Sequence, residues 1–74
     1  MKELFAIKIV LEDDNEILLG NLTDIETIKI LGRAYDSILN EELEIKFTDD
    51  IKVQALELKC FYIQSDSQWL SENN

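Results

Sequence analysis

Carboxylates are the side chains of this chain that could do chemistry, and their densest run lies at residues 12–16, Glu-Asp-Asp-Asn-Glu. Oxygen ligands of this kind suit a hard cation such as calcium. An EF-hand loop, however, also needs regularly spaced acids, a central glycine and a distal glutamate, and the run lacks this pattern. Short carboxylate and amide side chains are typical of turns, because they bond to their own backbone. The run therefore predicts a hairpin turn that holds no metal.

Catalytic and cofactor chemistry has little support in the remaining residues. The chain has no histidine, the commonest general acid or base near neutral pH, and a single cysteine, Cys60. Cys60 alternates with Leu58 and Tyr62, a pattern that predicts a buried thiol acting as a small hydrophobic group. Zinc and softer metals lack ligands, and Gly20 and Gly32 lie too far apart to form a phosphate-binding loop. We therefore expect a protein that is not an enzyme and that binds no cofactor or metal.

The net charge narrows the classes of partner. Sixteen acidic and seven basic residues among 74 give a formal net charge of −9. Such a surface repels nucleic-acid backbones and anionic lipid and attracts basic protein surfaces. We therefore expect a basic protein surface as partner, with no direct nucleic-acid or membrane binding, since no apolar stretch reaches the ~18–20 residues of a membrane span. The alternative is that the charge only keeps a small domain soluble.

Cysteine use and the first residues indicate a cytoplasmic protein. A single cysteine cannot form an intramolecular disulfide, the bond that stabilises many small secreted domains. Residues 1–10 include Glu3 and Lys8 and lack the long apolar run and small-residue cleavage site of a signal peptide.

A hairpin is predicted at the start of the chain. Apolar residues recur at every second position from Phe5 to Leu11, which is the period of a strand with one buried face. We place this strand at residues 2–12, the turn at residues 13–15, and a second strand from Glu16, in which Ile17 and Leu19 share a face.

A helix is predicted to follow. Thr23 and Glu26 have the spacing of a capping box, in which each side chain bonds a backbone amide of the other residue. Gly32 lowers helix propensity and so predicts a close approach of the helix to a sheet, and Asn40 is the expected C-terminal stop. Large apolar residues at three-to-four spacing predict the face that packs on the sheet, namely Ile28, Leu31, Tyr35, Ile38 and Leu39.

Two further strands are predicted after the helix. Leu43, Ile45 and Phe47 alternate as the buried face of a third strand, and a turn at residues 49–50 leads to Ile51 and Val53. The apolar parity then switches, which predicts a bulge or turn at residues 54–55 before a last strand at residues 56–63. A helix over residues 53–64 is the alternative, because short apolar runs are ambiguous by periodicity.

The predicted fold is therefore a small two-layer α+β domain of order β-β-α-β-β, with one helix packed on a four-stranded antiparallel sheet. We expect a single domain at residues 1–64, followed by a polar C-terminal tail at residues 65–74. A domain of this length buries only about 60% of the surface of its unfolded chain, so its stability should be modest.

This topology predicts one candidate site. The first hairpin turn, the end of the helix and the start of the third strand fall at the same end of the fold. Acids near a helix C-terminus oppose the helix dipole and repel one another, so their clustering there predicts a binding surface. The alternative is a set of separate solvated loops, since salt screens charges beyond ~8–10 Å. We call this set the acidic end, and expect no lysine or arginine in it: Glu12, Asp13, Asp14, Glu16, Asp36, Glu41, Glu42 and Glu44.

Trp69, in the polar tail, is the second candidate for partner binding. It either folds back as a lid over the small core or anchors a partner or a second copy, as exposed aromatic residues often do.

The expected function is that of an intracellular protein-binding module. In size, charge and lack of catalytic residues the chain is similar to the small acidic inhibitors encoded by phages and mobile elements, including DNA-mimic and anti-CRISPR proteins. This resemblance rests on no shared motif, and it implies an inhibitor that occupies the nucleic-acid-binding groove of a host protein. The alternative is a structural homo-oligomer, such as a homodimer formed through edge strands or the Trp69 tail.

Overall fold

A computed structural model describes residues 3–65 of the chain as a small α+β fold with one helix. The strands, all antiparallel, form a three-stranded sheet of order β2-β1-β5 and a two-stranded sheet of order β3-β4. The elements are β1 (Phe5–Leu11), β2 (Glu16–Leu22), α1 (Asp24–Leu39), β3 (Glu44–Lys46), β4 (Lys52–Gln54), a 3₁₀ turn (Ala55–Glu57) and β5 (Leu58–Ser65).

The α+β class was predicted, but the single four-stranded sheet was wrong. The 3₁₀ turn Ala55–Glu57 separates β4 from β5, and each of these two strands pairs with a different partner. β4 pairs with β3, whereas β5 pairs with β1 along its whole length. Residues 66–74, which form most of the predicted tail and include Trp69, lie outside the described residues.

The first hairpin forms as predicted. Ile7 and Ile9 of β1 are fully buried and pair across the ladder with Leu19 and Ile17 of β2. The side chain of Asp13 closes the turn, because its Oδ1 atom accepts a hydrogen bond of 3.1 Å from the backbone N–H of Asn15.

The helix begins and ends where the sequence predicts. The Glu26 backbone N–H donates to Thr23 Oγ1 at 3.2 Å, and the Thr23 N–H donates to Glu26 Oε1 at 3.1 Å, so both halves of the capping box are present. Asn40 is the C-cap residue.

The predicted buried face of the helix was wrong. The helix buries Thr27, Ala34 and Ser37, with Ile30 and Leu31 packed partly against the core. Small side chains face inward because they let the helix backbone lie close to the strands, and the hydroxyls of Thr27 and Ser37 are satisfied by backbone oxygens one turn earlier. Large apolar residues of the predicted face are consequently exposed: Ile28, Tyr35, Ile38 and Leu39.

Gly32 does not mark a close approach to a sheet. It is exposed, and a β-carbon added at this position would meet nothing within 4 Å. The fold of one chain therefore gives no packing reason for a glycine in the middle of the helix.

Cys60 is exposed, which corrects the prediction of a buried thiol. Val10 pairs with Cys60 and Leu11 with Leu58, so Lys59 is an extra residue in β5. This bulge reverses the parity of the strand. Phe61 therefore packs against the core while Cys60 lies on the opposite face of the sheet.

The core lies between the helix and both sheets. Phe47 is fully buried and meets the ring of Phe61 edge to face at a centroid distance of 5.2 Å. The buried members of the core are Ile7, Ile9, Ala34, Ile45, Phe47 and Val53. Within residues 3–65 there is no helix long and apolar enough to cross a bilayer.

Glu26→Gln is expected to make the stability of the fold depend less on pH in the acidic range. Hydrogen bonds from the backbone and then the side chain of Thr23, together with the charge of Lys29, lower the pKa of Glu26 below its ordinary 4.5. A carboxyl whose pKa is lower in the folded chain stabilises the fold at neutral pH, and this contribution disappears as pH falls through the folded-state pKa. The melting temperature of the variant should therefore lie below that of the wild type at neutral pH.

The two melting temperatures should converge at pH values well below 4.5. Glu44→Gln serves as the matched control, because it removes an equal charge from an exposed residue beyond the other end of the helix. Wild-type and Glu26→Gln curves that stay parallel over the whole pH range would contradict a role of the ionised carboxylate in capping.

Candidate acidic binding surface

The 3₁₀ turn joins the two segments that carry most of the acidic end. The backbone N–H of Glu12, in the first hairpin turn, donates to the carbonyl oxygen of Glu57 at 2.8 Å. The N–H of Ala55 donates to the carbonyl oxygen of Leu43, after the helix, at 2.9 Å. The first turn and the helix end are thus held at the same end of the fold by backbone bonds to one short segment.

Two hollows lie on either side of Leu56. Glu12, Asp13 and Glu57 line a hollow of about 230 Å³ together with Leu11. Glu41 and Glu42 line a larger groove of about 480 Å³, which we call the Leu56 groove. The other residues lining this groove are Ile38, Leu43, Ile45, Gln54, Ala55, Leu56 and Leu58.

The two leucines at the rim of the Leu56 groove are almost completely exposed. Leu56 exposes 94% and Leu43 84% of its surface. Leu43 was predicted to be buried in the third strand, but β3 begins only at Glu44 and the chain before it turns away from the core. Together with Ile38, the two leucines leave an apolar patch exposed beside the carboxylates.

Lysines reach three members of the acidic end, which corrects the prediction that it contains no basic residue. Ion pairs join Asp14 to Lys59 at 3.0 Å, Glu16 to Lys8 at 3.7 Å, and Glu42 to Lys46 at 3.7 Å. All three pairs are at least partly exposed to solvent, where such pairs contribute about 0–1 kcal/mol.

Four exposed carboxylates lie around Leu56. Among the described residues none of them has an ion-pair partner, and all are exposed: Glu12, Asp13, Glu41 and Glu57. Their charge therefore remains available to a basic partner.

Glu41 shares a left-handed backbone with Asp14 at the acidic end, but glutamate tolerates this conformation less well than aspartate. Glu41 follows the C-cap Asn40 and has a φ of 54°, in the left-handed region. The Glu41 N–H donates to the carbonyl of Ile38 and the Glu42 N–H to that of Ser37, both at 3.0 Å, which defines a Schellman motif. Glycine normally occupies this position, because a β-carbon makes the left-handed conformation cost about 1–2 kcal/mol. The carboxylate also faces the negative end of a helix whose last turn has no basic residue.

The remaining predicted residues are not brought into the two hollows. Asp36, at the start of the last turn of the helix, and Glu44, at the start of β3, line neither of them. Trp69 lies outside the described residues, so its role as lid or anchor stays a prediction.

The sequence reasoning missed Leu56 and Glu57. The signal was the switch of apolar parity before the last strand, because a segment that leaves the strand pattern presents its side chains to solvent. Residues 3–65 contain no group of three or more side chains that could hold a metal ion. What this surface offers chemically is negative charge, hydrogen-bond acceptors and two apolar contact points.

Replacing Glu41 by glycine is expected to stabilise the fold by about 1 kcal/mol, because glycine adopts the left-handed conformation without steric cost. Glu41→Gln is the matched control, since it removes the charge but keeps the β-carbon. Thermal or urea unfolding of the two variants separates the backbone contribution from the charge contribution. A Glu41→Gly protein no more stable than Glu41→Gln would show that the left-handed backbone carries no strain.

No protein-family model, curated protein or solved structure matches this chain.

Proposed function

We propose that this protein is a small acidic protein-binding module whose acidic end docks on a basic surface of another protein. In its sharpest form, the proposal is an inhibitor encoded by a phage or mobile element that occupies the nucleic-acid-binding groove of a cytoplasmic host protein. The module acts by occupying that surface and not by catalysis.

The observation that carries the proposal is the placement of Glu41. Glycine or asparagine would relieve the left-handed backbone, and a basic residue would complement the end of the helix. Glutamate does neither, and it stands among three other exposed carboxylates without ion-pair partners in the described part of the chain. A residue that lowers stability on several counts is typical of a site selected for binding.

The leucines beside these carboxylates support a protein as the partner. A stable protein interface combines apolar contacts at its centre with polar contacts at its rim. Leu43 and Leu56 supply exposed apolar contacts, and Glu12 and Glu41 supply negative charges on either side of them. The partner surface that fits is therefore an apolar side chain flanked by lysine or arginine.

The mechanism follows from the electrostatics of such a contact. Complementary charges speed up encounter and favour basic partners over others. Carboxylates on the docked module then take the place of the phosphates that the basic groove otherwise binds, so the partner cannot hold nucleic acid at the same time.

The test compares two doubly neutralised variants in affinity capture from a lysate of the host. Glu12→Gln/Glu41→Gln removes two charges at the acidic end, and Glu3→Gln/Asp50→Asn removes the same number elsewhere. We expect the first variant to lose about tenfold in affinity for the captured protein, or about 1.4 kcal/mol, and the second to bind like the wild type. The affinity of the wild type should also fall in about 1 M salt, where charges more than ~3 Å apart are largely screened from each other.

The inhibitory form is tested on the captured protein itself. Adding the wild-type chain should release nucleic acid from it in a mobility-shift assay, and Glu12→Gln/Glu41→Gln should release less. Capture that is equally strong for both variants and at both salt concentrations would exclude docking through the acidic end.

A structural homo-oligomer is the second candidate, and the exposed apolar residues of the helix favour it. Asp36 is the one residue that the acidic end shares with this helix surface, and self-association and docking are tested with different variants.

A further inference from the structure

The outward side of the helix carries a continuous line of apolar positions. Its members repeat at alternating intervals of three and four residues, as in one seam of a coiled coil. Ile28 exposes 70% and Leu39 78% of its surface. We call this line the outer stripe: Ile25, Ile28, Gly32, Tyr35 and Leu39.

Both sides of the helix are therefore apolar. The inward side packs Ala34 against the core, while the side chains of the outer stripe stay more than half exposed, even where the Tyr35 ring meets Phe61 at a centroid distance of 5.5 Å. A helix of a lone two-layer domain normally presents a polar outer face. Here charged residues occupy only one flank, at Glu26, Lys29, Arg33 and Asp36, and the outer stripe beside them is apolar. The outer stripe thus indicates a contact with a further surface.

Gly32 lies at the centre of the outer stripe. Glycine destabilises the interior of a helix relative to alanine, and nothing within 4 Å of an added β-carbon explains it here. A missing side chain on an exposed helix face lets a second helix approach closely at that point. Ile25 lies seven residues before Gly32, and Leu39 lies seven residues after it. The stripe therefore has a large aliphatic side chain at equal distances on either side of the glycine.

The charges beside the outer stripe choose the orientation of the second helix. Lys29 and Asp36 lie on the same flank of the stripe, three residues before and four residues after Gly32. Neither forms an ion pair with another residue in the range 3–65. When two such helices pair antiparallel about a two-fold axis at Gly32, the same flanks face each other. Lys29 of each copy then meets Asp36 of the other, whereas a parallel pair would separate them.

We propose that the outer stripe binds a second copy of this chain, forming an antiparallel two-fold helix pair that crosses at Gly32. Ile25 of one copy packs near Leu39 of the other, and two symmetric ion pairs between Lys29 and Asp36 fix the orientation. Glu12, Glu41 and Leu56 are not members of this interface, so the proposal does not depend on docking through them.

The first measurement is the oligomeric state of the full-length chain by sedimentation velocity. We expect a monomer–dimer equilibrium between about 10 µM and about 1 mM, because an interface limited to one helix face is smaller than that of a permanent dimer. A strict monomer over this range overturns the proposal, and it is the result expected if residues 66–74 cover the outer stripe instead.

The second measurement is a charge swap. Lys29→Glu and Asp36→Lys should each weaken dimerisation about tenfold, because each places like charges opposite one another twice per dimer. The double variant Lys29→Glu/Asp36→Lys should restore the wild-type dissociation constant to within about threefold. Absence of this rescue, with both single variants folded by circular dichroism, overturns the antiparallel arrangement.

Two apolar variants locate the interface. Ile28→Ser should weaken the dimer about tenfold, while Leu18→Ser, a matched loss on the open face of the sheet, should leave it unchanged. Gly32→Gln should raise the melting temperature of the monomer and yet weaken the dimer, because glutamine favours the helix but places an amide at the crossing point. If neither Ile28→Ser nor Gly32→Gln changes the dissociation constant, the dimer forms through another face and the proposal is overturned.

Discussion

The fold depends on the small side chains that face inward from the helix. Ala34 is fully buried, and Ser37 links the helix to β3, because its Oγ atom donates to the carbonyl of Arg33 at 3.1 Å and accepts from the N–H of Lys46 at 3.2 Å. A larger side chain at either position would force the helix away from the strands and open the core around Phe47. This close packing fixes the rotation of the helix about its own axis.

The first of two exposed surfaces follows from that rotation. With the small residues inward, the bulkier apolar residues face outward and form the outer stripe, with Gly32 at its centre. Where the helix ends, the Schellman motif after Asn40 turns Glu41 and Leu43 outward beside the 3₁₀ turn. The features that cost stability, a glycine inside a helix and a glutamate with positive φ, lie on these two surfaces. We propose that each cost reflects a role in binding.

Local rules predicted the parts of the fold that neighbouring residues determine. The hairpin turn at Asp13 and the capping box of Thr23 and Glu26 depend on side chains that bond to backbone within a few residues. The stop at Asn40 depends on backbone hydrogen bonds over a similarly short range. The topology also brought Glu12, Asp13, Glu41 and Glu42 to one end, where Leu56 lies between the two pairs. The predictions that were wrong depended on packing between residues far apart in the sequence. Periodicity favoured the bulkier of two apolar helix faces, and the bulge at Lys59 reversed the orientation of Cys60.

The rotation of the helix is tested most directly by the reactivity of single cysteines in a Cys60→Ser background, with the protein dilute enough to be monomeric. Ile28→Cys should react with a thiol reagent nearly as fast in the folded protein as in the unfolded protein. Ser37→Cys, which is close to isosteric and replaces a side chain that is 3% exposed, should be strongly protected. A protected cysteine at position 28 together with a reactive one at position 37 would place the large apolar residues inward and contradict the account.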